Sequence, residues 1–342
     1  MKLLILTHAE VERLLPMSEC ISVMEEALAA LARGEADQPL RTIFKPANVK
    51  GVMAMMPAFR SAETSAPLLT RGFLPGDKPM FGLKAICVFP GNAAIGKDAH
   101  QGGVMLFDGQ TGEPRALVNA SAITAIRTAA VSGLATRLLA REDADELAII
   151  GAGVQARTHL SAMACVRPIR RARIAARHLE SAQKLANEMQ PQFPFPIEPV
   201  ENAKAAVQHA SVIVTATISR EPVVRCEWIS PGAHINAVGT YSPAAREIDT
   251  ATMAAATLFV DRRESALNEA GDYLLAAKEG AIGPDHIRAE LGEVLIKAHP
   301  GRTSRDEITL FKSLGIAIED LAAAAYVYRK AQAENAGTWV EF

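Results

Sequence analysis

The chain has 342 residues, room for roughly two domains of ~150 residues each. Lys and Arg number 36 against 38 Asp and Glu, a formal charge of -2, and aromatic residues make up 5%. A chain this near neutrality projects no bulk field toward nucleic acid or an anionic membrane, and so few aromatics argue against a base-stacking platform. With 49% hydrophobic and 22% charged residues, the composition is globular rather than disordered.

The apolar start ends at Thr7-His8, short of the ~7–15 residues of a leader's apolar core. No apolar run approaches the ~18–20 residues of a membrane span, so a soluble, cytoplasmic protein is expected. Thr7-x-x-Glu10 reads as a capping box opening a short helix toward Leu15. A second helix follows Ser18, with Ile21, Met24, Leu28 and Leu31 on one face and Gly34 as its stop. The period then changes. Residues 41–45, 51–56 and 81–89 read as strands, and 104–107 and 115–118 flank a hairpin turn at 108–112. The first third is therefore mixed α+β with locally joined strands.

After a long helix over 120–140 the grammar becomes β-α-β. Strands near 146–150, 172–176, 212–216, 234–238 and 258–260 alternate with helices such as 179–189, which implies a parallel sheet. The segment 314–332 reads as one Ala-rich helix returning to the first domain. Cys20, Cys87, Cys165 and Cys226 form no C-x-x-C pair and read as small buried hydrophobes, with no metal expected.

Gly151-Ala-Gly153-Val-Gln-Ala156 follows a strand and opens a helix. In that context the first Gly makes the tight turn, the second lets backbone approach a pyrophosphate, and Ala156 permits close helix–strand packing. A tight turn with no ligand is the plainer alternative. Sites for NAD carry an acid about 20 residues on, for the ribose hydroxyls. Here no acid occurs from Gly151 to Leu179, and the second strand runs into Arg177-His178. A guanidinium suits a 2′-phosphate, so NADPH is expected in preference to NADH, with Arg170, Arg171 and Arg173 adding positive potential nearby.

Three cations stand in apolar surroundings. Arg127 shares a helix face with Ile123, Ala130, Val131 and Leu134, Lys84 shares a strand face with Ile86 and Val88, and Arg41 is flanked by Leu40 and Ile43-Phe44. Each wants an anionic partner, either a structural carboxylate or a ligand, unless its stem snorkels to water. Together, beside a dinucleotide fold, they suggest a small carboxylate substrate.

At this point the sequence resembles the ornithine cyclodeaminase/mu-crystallin family. The stretches that carry the resemblance are Phe81 to Asn92, Ile126-Arg-Thr-Ala-Ala130, Ile150 to Ala156, His234 to Gly239 with Arg246-Glu-Ile-Asp249, and Ile308 to Asp320. The resemblance implies an α/β chain. A Rossmann dinucleotide-binding domain over 129–313 is inserted in an α+β substrate-binding and dimerisation domain, 1–128 with 314–342. It makes Arg41, Lys84, Arg127 and Leu314 substrate-binding and places Thr128, Val154, Gln155 and Ser313 with Gly151, Gly153, Ala156, Arg177 and His178 around the cofactor. It also implies a homodimer. The stretch between Ala58 and Phe81 is longer than the family norm and reads as an extra hairpin.

Cyclodeaminases of the family carry an Asp two residues after the Gly matching Gly239; this chain has Tyr241 there. A phenol with a pKa of roughly 10 is a poor base near pH 7. The resemblance therefore implies the imine reductase branch. The expected reaction is NADPH-dependent reduction of a cyclic α-imino acid, Δ1-pyrroline-2-carboxylate to L-proline or Δ1-piperideine-2-carboxylate to L-pipecolate. Lys84 and Tyr241 are its candidate catalytic residues, Tyr241 either bonding the ring nitrogen or shaping the pocket, and His100 reads as a proton relay or as a structural histidine in a loop. The alternatives are an ornithine cyclodeaminase-type lyase with bound NAD, an alanine-type amino-acid dehydrogenase, or a binding protein without turnover.

Overall fold

The computed structural model describes residues 2–61 and 78–342. Its strands in chain order are β1 (Lys2–Leu6), β2 (Ala36–Asp37), β3 (Thr42–Phe44), β4 (Val52–Arg60), β5 (Met80–Val88), β6 (His100–Asp108), β7 (Pro114–Asn119), β8 (Glu146–Ile150), β9 (Arg171–Ala175), β10 (Ile197–Pro199), β11 (Val212–Thr215), β12 (His234–Ala237), β13 (Thr257–Val260), β14 (Ile287–Glu290), β15 (Thr309–Lys312) and β16 (Thr338–Glu341). The chain divides into two compact units, Met1–Arg127 with Gly315–Phe342, and Thr128–Leu314.

The first unit holds a sheet ordered β16-β1-β7-β6-β5-β4-β2, with β3 also paired to β4. Its pairs are antiparallel except β1 with β7. Alternation along the long strands turns Ala54, Met56 and Ala58, Ile86 and Val88, Val104 and Leu106, and Ala116 and Val118 into the core. The Ala317–Glu334 helix packs on β4, β5 and β6 and against the Met17–Ala32 helix. Its run Ala322–Ala325 is buried, and such small side chains let the helix lie close to the sheet. The Thr7 capping box forms as expected, with the Thr7 N–H donating to Glu10 Oε2 at 2.8 Å. Lys84 sits on the inner face, opposite Met56 on one neighbouring strand and Val104 on the other.

The second unit holds an all-parallel sheet ordered β10-β9-β8-β11-β12-β15-β13-β14. Every residue of β11, β12 and β15 is buried, as expected where a parallel sheet is covered on both faces. The chain runs outward from β8 through β9 to β10 and then returns to β11 on the other flank of β8. Strand order thus reverses at the β8/β11 boundary, and in open α/β sheets ligands bind at that point, beyond the carboxyl ends of the strands. This is a Rossmann-type domain.

Several elements depart from the sequence reading. β1 is a strand although its run looks like the start of a leader, because β7 and β16 flank it. β10, β14, β15 and β16 went unforeseen; each has only three or four residues, too few for a period to show. The final helix begins at Ala317, leaving 313–316 as an irregular connection after β15. Of the four cysteines Cys20 alone is buried, and Cys165 is exposed. The expected extra hairpin falls largely on residues 62–77, outside the described residues. No helix among the described residues is long and apolar enough to cross a membrane.

Candidate active site

Three constructions matter: one glycine turn and one pinned loop in the second unit, and one buried ion cluster in the first. In the glycine turn, the Gly151 N–H donates to the Ala175 carbonyl at 2.8 Å, tying the turn to the end of β9. Gly151 has φ +128°, and a Cβ there would lie 2.4 Å from the Ala216 carbonyl oxygen, so no other residue fits. Gly153 is the N-cap of the Val154–Val166 helix and makes no side-chain cap bond, while a Cβ on it would meet open space. Val154 is exposed, Gln155 half-buried and Ala156 fully buried against the sheet. An uncapped first turn of N–H groups at the switch point is the cradle a pyrophosphate needs.

Because Ala175 is bonded to the turn, Arg177 and His178 follow immediately at the same edge, and both are exposed. Arg170, Arg171 and Arg173 do not join them. Arg171 and Arg173 bind Glu146 at 2.9 and 3.3 Å, and Arg170 faces Asp145 at 3.8 Å, all at the starting edge of β8 and β9. Parallel pairing puts that edge roughly 20 Å from Arg177 along the strand direction. Ser313 and Leu314 leave the end of β15, their N–H groups donating to the Ala237 carbonyl and, at 2.7 Å, to Asp261 Oδ2. Thr128 is buried in the Ala120–Leu139 helix.

Tyr241 stands in the loop after β12, 43% exposed between anchored neighbours. The Gly239 N–H donates to Glu247 Oε2, and the Thr240 hydroxyl donates to Asp272 Oδ2 at 2.9 Å. Lys312 at the end of β15, fully buried, donates to the Thr240 carbonyl at 2.7 Å and pairs with Asp272 at 3.0 Å.

In the first unit Lys84 and Arg127 meet through one carboxylate. Asp320 accepts from Arg127 Nε at 2.9 Å and pairs with Lys84 Nζ at 2.7 Å, and Glu319 accepts from Arg127 Nη1 at 2.7 Å. All four side chains are at most 5% exposed. Arg41 is half-buried and donates to the Gly315 carbonyl at 2.8 Å. Burial pushes Lys84 down to about 8; Asp320 opposes that shift, and Arg127 and Arg41 add to it. His100 is held below its ordinary value by burial and by the charges of Lys84 and Arg127, so it is neutral at pH 7. Sequence reasoning found the cations and missed both acids. The available signal was an adjacent Glu-Asp pair in the first turn of an otherwise Ala-rich helix. The cations are therefore not isolated charges: Lys84 and Arg127 share Asp320, Arg127 also holds Glu319, and Arg41 lies near enough to Lys84 to act on it electrostatically.

The sequence profile of the ornithine cyclodeaminase/mu-crystallin family matches residues 1–335. The chain belongs to this family. Among its relatives, a Delta(1)-pyrroline-2-carboxylate reductase of Bacillus cereus is 37% identical over 99% of this chain and 100% of its own. The ketimine reductase mu-crystallin of Mus musculus is 39% identical over 90% of each chain. The solved structure of Thermococcus litoralis Delta(1)-pyrroline-2-carboxylate reductase in complex with NADH and L-proline superposes with a TM-score of 0.90 at 39% identity, covering 98% of this chain and 99% of that one.

Proposed function

We propose that this family member reduces a cyclic α-imino acid, Δ1-pyrroline-2-carboxylate to L-proline or Δ1-piperideine-2-carboxylate to L-pipecolate, with NADPH as the preferred cofactor. The observation that carries the reading is the buried Lys84–Asp320–Arg127–Glu319 cluster with Arg41 beside it, a concentration of cations in apolar surroundings that suits a small substrate carboxylate. The relatives named as pyrroline-2-carboxylate and ketimine reductases support it.

The dinucleotide is held by Gly151, Gly153, Val154 and Gln155 at the turn, with Ala156 packed beneath, and by Thr128 and Ser313 at the same domain's edge. Bound there, the nicotinamide supplies the hydride. Arg177 and His178 take the 2′-phosphate; their exposure beside the glycine turn and the absence of any acid from Gly151 to Leu179 support NADPH over NADH. Lys84, Arg127 and Arg41 bind and orient the substrate carboxylate, a proximity contribution, and Leu314 borders the substrate. Lys84 holds its proton with a pKa of about 8 and can also hand a proton toward the imine nitrogen. A phenol at Tyr241 in place of a carboxylate argues against a cyclodeaminase-type reaction.

The reading includes a homodimer formed by the outer face of the first unit's sheet, where Phe44, Met53 and Phe81 are 60%, 40% and 47% exposed. It also includes a cytoplasmic location, where NADPH is supplied. The test is a panel of cyclic imines, ornithine, and pyruvate with ammonia, each with NADPH and NADH. Turnover of a five- or six-membered cyclic imine, with NADPH the better reductant, is expected. Ammonia release from ornithine without net nucleotide oxidation would replace this reading with a lyase.

A further inference from the structure

The buried ion network of the second unit takes no part in the roles above, yet it is the most heavily bonded polar cluster around the end of β12. Lys312, Asp272 and Glu247 have no measurable exposure and Thr240 has 4%. Asp272 Oδ1 accepts the N–H groups of Glu247 and Ile248 at 2.7 and 2.9 Å, while its Oδ2 takes the Thr240 hydroxyl and Lys312. Glu247 accepts four bonds, from the Thr215 hydroxyl, the Thr217 hydroxyl and N–H, and the Gly239 N–H. Gly271 opens the Gly271–Lys278 helix directly under the loop; a Cβ there would sit 2.0 Å from the Ala245 carbonyl oxygen and 2.4 Å from that of Ser242.

The loop is thus fixed before and after Tyr241 by charge, hydrogen bonds and a close backbone approach, and the one large side chain it displays is exposed. Burying an ion pair brings little net stability over an apolar packing of the same volume, so such a pair is better explained by what it fixes in place. The anchors come from the ends of β11, β12 and β15, the carboxyl edge that also carries the glycine turn.

We propose that Lys312, Asp272, Thr240 and Glu247 are positioning residues that hold the Gly239–Ser242 backbone and present the Tyr241 phenol at the cofactor edge for the proposed reduction. This rests on the reductase reading. Lys312 and Asp272 are too deeply buried for a clean substitution. Thr240→Val is the mild probe, since it removes only the hydroxyl that donates to Asp272, and Thr240→Ser restores it.

With NADPH and Δ1-pyrroline-2-carboxylate, Thr240→Val is expected to lower kcat/KM about tenfold, Thr240→Ser to recover it, and NADPH affinity to stay within about twofold. In a Tyr241→Ala background, Thr240→Val should add less than about twofold, because the side chain it positions is gone. Hydrogen exchange of amides 239–246 should quicken in Thr240→Val, with 150–160 unchanged. An equal loss in both backgrounds, unaltered exchange in 239–246, or full activity of Tyr241→Ala would each overturn the proposal. If the natural chain reduces no imine, the reductase reading has failed, and the exchange measurement alone still decides whether the network holds the loop.

Discussion

Replacing Asp320 by Asn separates the electrostatic role of the first unit's cluster from simple packing. The substitution keeps the side-chain volume and removes a carboxylate 2.7 Å from Lys84 Nζ and 2.9 Å from Arg127 Nε. Unit charges about 4 Å apart interact by roughly 4 kcal/mol at an effective dielectric of ~20. If half of that survives relaxation, the change in Lys84 is about 2 kcal/mol, or ~1.5 pKa units. Lys84 titrates at about 8 in the natural chain, where burial lowers it and Asp320 props it up. In the variant it should titrate near ~6.5. The ammonium is the form that holds a carboxylate, so kcat/KM must fall as pH rises through the Lys84 value. The basic limb of a kcat/KM profile between pH 5.5 and 9.5 should therefore move from about 8 to ~6.5. Opening a buried pair also costs ~3 kcal/mol, so the profile is taken well below the melting temperature. A folded variant whose basic limb stays in place, or moves up, would refute the assignment of Lys84 as the group whose charge Asp320 maintains.

Arg127→Met should lower kcat/KM by ~100-fold or more while NADPH affinity, measured by fluorescence titration, changes little; equal losses in both would move Arg127 out of substrate binding. Arg177→Asp should swing the kcat/KM ratio toward NADH by at least ~10-fold, and a retained NADPH preference would mean that the 2′-phosphate lies elsewhere. His159, bonded to the Gln155 carbonyl and the Ser132 hydroxyl, is held by burial down to about 4, and His234, bonded to Thr309, down to about 3. Both are neutral in the fold, so stability is full above the free histidine value of ~6.5 and is lost as pH falls through that value toward about 4 and about 3. Denaturant melts of His159→Gln between pH 4 and 7 should show a shallower acid dependence than the natural chain; an identical slope would exclude His159 as a source.

Much of this was legible because the signals are local. The capping box at Thr7, the period-two strands around Lys84 and the glycine turn after β8 each lie within a dozen residues. The partners of the cations are not local. Arg127 and its acids are 192 and 193 residues apart, so spacing carries no trace of the pairing, and only the apolar setting of each charge hints that one exists. The misplaced arginines teach a different lesson. Arg171 and Arg177 are close in sequence, but β9 runs between them, and its parallel pairing with β8 sends its first residue to Glu146 and its last to Gly151. Strand direction, not proximity in sequence, decides which charge reaches a cofactor edge. Lys312 stayed hidden because it ends a four-residue strand whose pattern is too short to read.

The first unit is made from both ends of the chain: β1 pairs with β16 residue by residue, Lys2 with Glu341 through Ile5 with Thr338. On the ribosome this has a temporal consequence. Lys84 and Arg127 are synthesised before residues 128–314, and Asp320 only after them. At 5–20 residues per second that interval is roughly 10–40 s. Throughout it the two cations have no Asp320 to close against, and the core that buries them lacks its Ala-rich helix and its final strand. The continuous second unit is complete in the nascent chain first. The buried ion cluster of the first unit is assembled last, so a stop codon a few residues upstream of Asp320 would leave a complete nucleotide fold and an unfinished first sheet.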